Sequence, residues 1–543
     1  MNIQNQWDAT PLLSKQEYYQ ALTRPPSPLQ QIVPPSLEQM ESILPQRREY
    51  LTRAIDRDHL AEQLRSSHQR RHAPESVYRS IDLLKREQTF LVITGQQPGI
   101  LSGPLFTVYK ILHAIILAEH LTQEREETFI PAFWNASEDQ DFEEIATIRW
   151  LSKNREIHQF QWNSTPDLRP YFTLSMQEFP LEELLRQFRE TTYETEFRER
   201  IFQEIEQSAN RAVTFPDFFD QLIWNVFPEE GLIILRPEEQ FMRELAIPIM
   251  HREIRNPAFS SEAIQKAGQI LSANHLQPQL HKREDRTSFF LMEDHQRIPV
   301  HLTENGFETQ AGTHYSEQEL IGRLNEAPQQ FSPSAILRPV LQDAILPVAA
   351  AILGPGELAY HFLLKDIYEQ HQIPRPALVP RFGFTILEGK DQKSLKRYSL
   401  LPAELQEDSA ALVRKLTRRE HTPLIEQEKE KTKSSLEHFF RQLSDQAKEV
   451  DPTIESVLQK NLNRLLQELD KSEQLLIRRQ ADKNERMRQQ IESLQNALLP
   501  EGDLQERHFT IYYYLLKYGH QFMAELKSNA RQCQPGKHYF MNV

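Results

Sequence analysis

The sequence predicts an α/β protein: a doubly wound parallel core, helical insertions and a C-terminal α-helical coiled coil. Two stretches carry the core. In each, an apolar run is followed by a Gly/Pro turn, a helical stretch and another apolar run, the pattern of parallel strands joined by crossover helices. The coiled coil is read from a glycine-free stretch between Gly389 and Gly502, where apolar residues recur every three or four positions among charges.

Residues 1–88 read as a helical lead-in, with a proline-rich connector at Pro25–Pro35 and amphipathic, charged helix over Leu37–Leu84. Thr89–Thr94 is a buried strand, Gly95–Pro104 a loop, Leu105–His120 a helix and Thr128–Trp134 a second strand. That unit, within 89–149, has the size of a right-handed crossover. An insertion over 150–230 turns helical after Pro180. Gly231–Arg236 returns to strand, and Ser288–Thr303 reads as a hairpin or strand pair. In the second half of the core, 231–400, Val348–Leu353 is a strand, Gly354–Gly356 a tight turn, Glu357–His371 a helix and Ala377–Arg381 a strand.

Over 404–500 a seam runs through Leu436, Phe440, Leu443, Ala447 and Val450, then Leu458, Leu462, Leu465, Leu469 and Leu476, then Met487, Ile491, Leu494 and Leu498. Asp451 and Pro452 interrupt it and suit the start of a new helix, as N-cap and first helical residue. The expectation is an antiparallel hairpin whose second helix runs about 45 residues, ~70 Å, with its register weakened at Ser472 and Gln480–Lys483. Residues 501–543 read as a segment packing back on the body through an aromatic helix, Phe509–Phe522.

With 543 residues, the chain can bury a large core unaided. Its 63 Lys and Arg against 77 Asp and Glu give a net charge of −14, which argues against nucleic-acid binding over the whole surface. The single cysteine, Cys533, rules out an internal disulfide framework or a cysteine metal cage, and no catalytic part is assigned to it. The N-terminus lacks a signal-peptide core. The most apolar short run, Ala344–Leu353, is far below the ~20 residues that span a bilayer. A soluble, cytoplasmic protein without membrane contact is expected.

Four constellations carry chemistry. Thr94–Pro104 (TGQQPGILSGP), followed by Lys110, is a glycine-rich turn into a helix, a place where free N–H groups suit an anion. It lacks the Walker A and G-x-G-x-x-G patterns, and close backbone packing would explain its glycines equally. Asn135–Glu144 holds five acids among its last seven residues; these suit Mg2+, a substrate amine or proton transfer, or else a solvated first helical turn. In the third, Arg338 and Asp343 either pair with each other, or Arg338 grips a carboxylate or phosphate while Glu357 of Gly354–Tyr360 faces the cleft. In the fourth, Val379–Arg381 ends a strand on a cation. Isolated histidines such as His113 and His361 read as core or surface residues.

Taken together, Thr94–Pro104, PAFWNASEDQDF at Pro131–Phe142, LRPVLQD at Leu337–Asp343, GPGELAY at Gly354–Tyr360, VPR at Val379–Arg381 and LQER at Leu504–Arg507 resemble the bacillithiol biosynthesis cysteine-adding enzyme family, BshC, over nearly the whole chain. The resemblance implies a Rossmann-like core related to class I aminoacyl-tRNA synthetases and a coiled coil through which the family dimerises. It also implies a reaction joining the carboxylate of L-cysteine to the amine of glucosaminyl-malate, giving bacillithiol. A free carboxylate needs activation, so ATP is the expected cofactor, with Mg2+ a further candidate.

Residue chemistry then assigns the roles. Asp139, Asp141, Lys110 and Arg381 are the candidate catalytic residues. Lys110 or Arg381 would balance developing charge, and Asp139 or Asp141 would hold the amine or Mg2+. Gln96, Asn135, Glu138, Arg338, Glu357 and Tyr360 are candidate substrate-binding residues, with Arg338 on the malate carboxylates. Gly95, Gly99, Ser102 and Gly103 would cradle phosphate, and no resident metal ligands are assigned.

Two positions depart from the family pattern: Gln140, where histidine is frequent, removes a proton shuttle, and Arg236 stands where an acid is expected. The rival readings are another amino-acid-activating or nucleotidyl-transferring enzyme of the same fold, or a non-catalytic coiled-coil scaffold. Only the scaffold has no need for the acid cluster and glycine turn to share one cleft.

Overall fold

A computed structural model of the chain describes residues 1–8, 10–163, 169–280, 283, 285–451 and 453–543. It has two compact units, Met1–Ile386 with Gln505–Val543, and Leu387–Leu504.

In the first unit, five parallel strands form a sheet in the order Ala377–Pro380, Val348–Leu353, Thr89–Gln96, Thr128–Asn135, Ile233–Leu235. Numbered along the chain this is 5-4-1-2-3, so the winding reverses between the first strand and the fourth, as in a doubly wound fold. The strands are near-continuous apolar runs because both faces are covered. Across the reversal, the Thr94 hydroxyl donates to the Ile352 carbonyl at 2.9 Å.

Helix Leu105–Glu124 makes the first crossover. It is long and apolar enough to cross a membrane, unlike the Ala344–Leu353 run singled out from the sequence, but most of it is buried in the body. In the second crossover, the single helix expected over Glu357–His371 is two, Pro355–His361 and Lys365–Gln370. The chain bends between them and buries Phe362, Leu363 and Leu364 completely. The aromatic helix expected over Phe509–Phe522 also divides, into Ile511–Tyr518 and Gln521–Ala530, because Gly519 takes a φ of +69°.

The lead-in is not wholly helical. Asn2–Asp8 is a strand pairing antiparallel with His538–Asn542, which in turn adjoins Gly383–Leu387. Helices Met40–Ala54, Arg57–Arg70 and Glu75–Leu83 follow. The expected hairpin at 288–303 is present as Arg286–Glu293 and Gln296–Thr303, within a five-stranded antiparallel sheet.

In the second unit, helices Ser409–Val450 and Ile454–Lys483 lie antiparallel. Ser444 donates to Glu455 near the turn, while Lys429 bridges Asp470 and Glu473 farther along. Asp451 accepts from the Thr453 N–H and hydroxyl at 2.9 and 2.8 Å; the Pro452 part of the predicted cap lies outside the described residues. The second helix is shorter than expected. It breaks at Asn484, whose side chain accepts from the Met487 N–H and starts a new helix, Glu485–Leu498. The seam also shifts past Ser472: Ile477 is 9% exposed, whereas Leu476 is 45% exposed.

Candidate functional site

The C-terminal ends of the core strands open onto a cleft of about 710 Å³, within the usual range for small-molecule sites. Gly95 and Gln96 come from the first strand, Ala136, Glu138 and Asp139 follow the second, Pro237 follows the third, Gly354 follows the fourth and Arg381 the fifth. This crevice, at the winding reversal, is where doubly wound sheets bind ligands.

Lys110 and Glu357 sit at the reversal. The buried Lys110 ammonium donates to the Gly95 carbonyl at 2.9 Å and Gln96 Oε1 at 3.0 Å, and pairs with Glu357. Glu357 also accepts the Gly354 N–H at 2.8 Å. Burial pulls the Lys110 pKa below the usual lysine range, against the raising pull of Glu357. A fixed charge in such a setting acts strongly on nearby ligand charge.

Arg338 does not pair with Asp343. It donates to the Tyr360 hydroxyl at 2.8 Å, while Asp343 accepts from Tyr368 and Gln342 at 2.5 and 3.1 Å. Burial pushes Tyr360 up to about 12, so it is a neutral partner at ordinary pH. Against the lowering effect of burial, the charge of Glu357 acts on Arg338 from beyond ion-pair distance and helps raise its pKa. Arg381 is held from behind by the fully buried Glu506 of the LQER stretch. Burial alone would raise the Glu506 pKa, but Arg381 and His538 outweigh it and hold the carboxyl below its ordinary value.

The acidic wall is equally built. Glu138 pairs with Arg243 at 2.9 Å and accepts the Ser332 hydroxyl at 2.5 Å. Gln97 donates to Glu144 at 2.5 Å and to Asp139 at 3.3 Å, and Arg297 lies 3.9 Å from Asp139. Burial, then the charges of Asp139 and Asp141, raise the Glu144 pKa. Through Gln97 the glycine turn and the acid cluster are in direct contact, so the separation that would favour a scaffold is absent.

Four predicted residues stand elsewhere. Asn135 is fully buried and donates to Asp220 at 2.8 Å; Asp220 also pairs with Arg71 and Arg236, so both Asn135 and Arg236 belong to a buried charge network. Asp141 is exposed and outside the cleft lining, at the start of the short helix Phe142–Ile145. Ser102 and Gly103 do not line the cleft either. Their turn is folded on itself: a Cβ at Gly99 would come 2.6 Å from Gly103 Cα. It is also stapled to the C-terminal segment, since the Leu105 N–H donates to the Phe509 carbonyl at 2.8 Å and Thr510 to the Leu101 carbonyl at 2.6 Å. The helix N–H expected to meet phosphate is thus already bonded. Of that group Gly95 and Gly99 face the cleft.

His113 and His361 are buried, and desolvation depresses both, His113 to about 3. Burial pushes the Cys533 thiol up to about 12, the opposite of an activated nucleophile. Sequence reasoning missed Lys15 and Arg297 in the cleft wall. Lys15 precedes any motif, and Arg297 sits in a hairpin that shows only strand alternation.

Among the described residues no three His, Cys, Asp or Glu side chains converge as metal ligands. Mg2+ commonly takes one or two carboxylates and completes its shell with water and phosphate; Asp139 and Glu144 fit that partial set. For the phosphates of ATP, the donors that fit are Lys110 and Arg381, beside the Gly354–Gly356 turn. A Cβ at Gly354 would lie 3.9 Å from Lys110 Nζ, and one at Gly356 3.6 Å from Lys15 Nζ.

Comparison with known proteins agrees with this architecture. Residues 25–382 match the model for the N-terminal Rossmann-like domain of bacillithiol biosynthesis BshC, and residues 384–543 that for its C-terminal coiled-coil domain. Curated relatives named "Putative cysteine ligase BshC" include that of Salinibacter ruber, 27% identical over 88% of both chains. Those of Carboxydothermus hydrogenoformans, 28% identical over 86% of both chains, and Bacillus velezensis, 27% identical over 87% of this chain and 88% of its own, are similar. With both domain models matched in order on a sheet of doubly wound topology, the chain belongs to the BshC family of bacillithiol biosynthesis.

Proposed function

We propose that this chain is a ligase forming an amide between the carboxylate of L-cysteine and the amine of glucosaminyl-malate, the last step of bacillithiol biosynthesis, with ATP as activator. The observation that carries this reading is the single cleft at the winding reversal, where fixed cations face fixed carboxylates. An amide-forming site needs both: donors for anionic substrate groups and developing negative charge, acceptors for an ammonium and an amine.

ATP, when bound, supplies the activation that makes the cysteine carboxyl an acyl donor. The chain's residues do the rest. Arg338, oriented by Tyr360, binds a carboxylate of the acceptor. Asp139 holds the attacking amine through its N–H. Lys110, fixed by Gly95, Gln96 and Glu357, stabilises negative charge at the acyl centre, and Arg381 adds a second cation whose position Glu506 sets. Holding the reactants together in one cleft accounts for a large share of such a rate.

In this reading the enzyme works in the cytoplasm as a homodimer through the helical hairpin, where Phe439, Val457, Leu465 and Leu475 expose apolar surface. The test is mass spectrometry of purified protein with cysteine, glucosaminyl-malate, ATP and Mg2+. Bacillithiol appearing with AMP indicates adenylation; with ADP, an acyl phosphate. No bacillithiol in vitro, together with unchanged cellular bacillithiol after gene deletion, overturns the proposal.

A further inference from the structure

Of the cleft's cations, Lys110 pairs with Glu357, Arg381 with Glu506, and Arg297 approaches Asp139. Lys15 has no carboxylate within ion-pair distance among the described residues; its ammonium donates to the neutral side chain of Gln279. Arg338, as shown above, rests on the Tyr360 hydroxyl.

These two cations, neither in an ion pair among the described residues, meet the same short helix, Pro355–His361. Lys15 Nζ sits beside Gly356, 3.6 Å from where a Cβ would be, and Arg338 holds Tyr360. Positions 356 and 360 lie one turn apart on one helix face, where neighbouring side chains start about 5–6 Å apart. Lys15 is also held in place. Its backbone takes φ +60° and ψ +31°, a left-handed conformation that is unfavourable for lysine and persists only where the surroundings impose it. Three residues on, Tyr18 is fully buried, edge-on to Phe362 at 5.4 Å, and donates to the Gln277 carbonyl at 2.6 Å.

We propose that Lys15 and Arg338 form a two-point subsite for a dicarboxylate, Lys15 being a substrate-binding residue supplied by the N-terminal segment. The subsite rests on the reading above only in naming the malyl group of the acceptor as its natural occupant. Two separated cations, each able to take one carboxylate oxygen pair or edge, suit the two carboxylates of such a group.

The test is calorimetric binding of L-malate to the full chain, in wild type, Lys15→Gln, Lys15→Arg and Arg338→Gln, with folding checked by circular dichroism. Wild type should bind malate. Lys15→Gln and Arg338→Gln should each weaken it by about tenfold or more, and Lys15→Arg should retain most of the affinity. ATP is titrated in parallel and should respond little to Lys15→Gln. Unchanged malate affinity in Lys15→Gln, or no binding by wild type, overturns the proposal. So does loss of ATP affinity with malate affinity intact, which would make Lys15 a phosphate ligand. Because malate binding needs no turnover, a Lys15-sensitive malate site would stand even where bacillithiol synthesis in vitro and the gene-deletion test both fail, so the ligase reading and the subsite fail separately.

Discussion

The two glycine turns of the core look alike in sequence and behave oppositely in the fold. Each follows an apolar strand, each contains proline, and each leads into a helix. In the first, Gly99 packs on Gly103, and Phe509 and Thr510 hold the far end of the loop. Gly99 and Gly103 serve that packing, while Gly95, Gln96, Gln97, Gly99 and Pro104 line the cleft. The second, Gly354–Gly356, is met by the Lys110, Lys15 and Glu357 side chains rather than by backbone, and carries Glu357 on its next residue. A strand–glycine–helix pattern therefore marks where a ligand site can be. Whether its N–H groups are free is decided by a segment some 400 residues away.

If the second turn is the working one, damage at Glu357 should have the largest effect. Glu357→Gln leaves the Lys110 ammonium, 3% exposed, with neutral acceptors alone. Breaking a buried pair from one side usually costs about 3–5 kcal/mol, and the partial exposure of Glu357 trims this to about 2–4 kcal/mol. The double variant Lys110→Met/Glu357→Gln should regain most of that stability in urea unfolding. Both should lose bacillithiol formation by about 100-fold or more. Wild-type turnover in Glu357→Gln would move the reaction centre away from the reversal.

Alanine at one glycine of each turn separates packing from function directly. Gly99→Ala drives a methyl into the backbone at Gly103, and overpacking of this kind costs about 1–3 kcal/mol. Gly356→Ala meets only the end of the flexible Lys15 side chain at ordinary contact distance, and within a helix alanine gains up to about 1 kcal/mol over glycine. Stability changes of opposite sign are thus expected, read by thermal unfolding. Equal losses in both would mean the second turn is packed as tightly as the first.

What the sequence made legible follows the same line. The buried strands, the first crossover and the antiparallel pairing of the two long helices are local patterns of period two or 3.6 and were legible; the length of the second helix and its seam past Ser472 were not. Lys110, Gln96, Glu357 and Arg338 were legible as polar groups in apolar surroundings beside turns. Lys15 was not, because its relation to the cleft is set by the N-terminal segment, which contains no motif for it; Glu506 lay in the LQER stretch, but spacing did not reveal its pairing with Arg381. Asn135 and Asp141 were misplaced for a related reason. A polar residue after a strand can point into the cleft, back into the body or outward, and spacing does not distinguish these. For Asn135 the body wins, because Asp220 requires an N–H donor beside its two arginines.

That assignment makes Asn135→Ala a structural variant. Losing the 2.8 Å bond to a buried carboxylate should cost about 1–3 kcal/mol, with the KM for cysteine and for glucosaminyl-malate unchanged in the folded fraction. A selective rise in one KM without loss of stability would return Asn135 to the site.

The smallest effect concerns the part of the first turn that does face the cleft. Gln97 holds Glu144 beside Asp139, and burial with the two aspartate charges raises the Glu144 pKa. A carboxyl raised on folding binds its proton more tightly in the folded state. Its contribution to stability is therefore full below the unfolded carboxylate pKa, near 4.5, and is lost as pH rises through the folded value. Glu144→Gln removes that loss. At pH 7.5 its Tm should exceed wild type by at most about 1 °C, since solvent screens this exposed group, and the difference should vanish below about pH 4.5. Asp141→Asn, removing an exposed neighbouring charge, should lower the Glu144 pKa slightly and leave turnover unchanged. A large loss of turnover in Asp141→Asn would show that the exposed end of the acid cluster reaches substrate after all, and that the first turn contributes more to the reaction than its packing indicates.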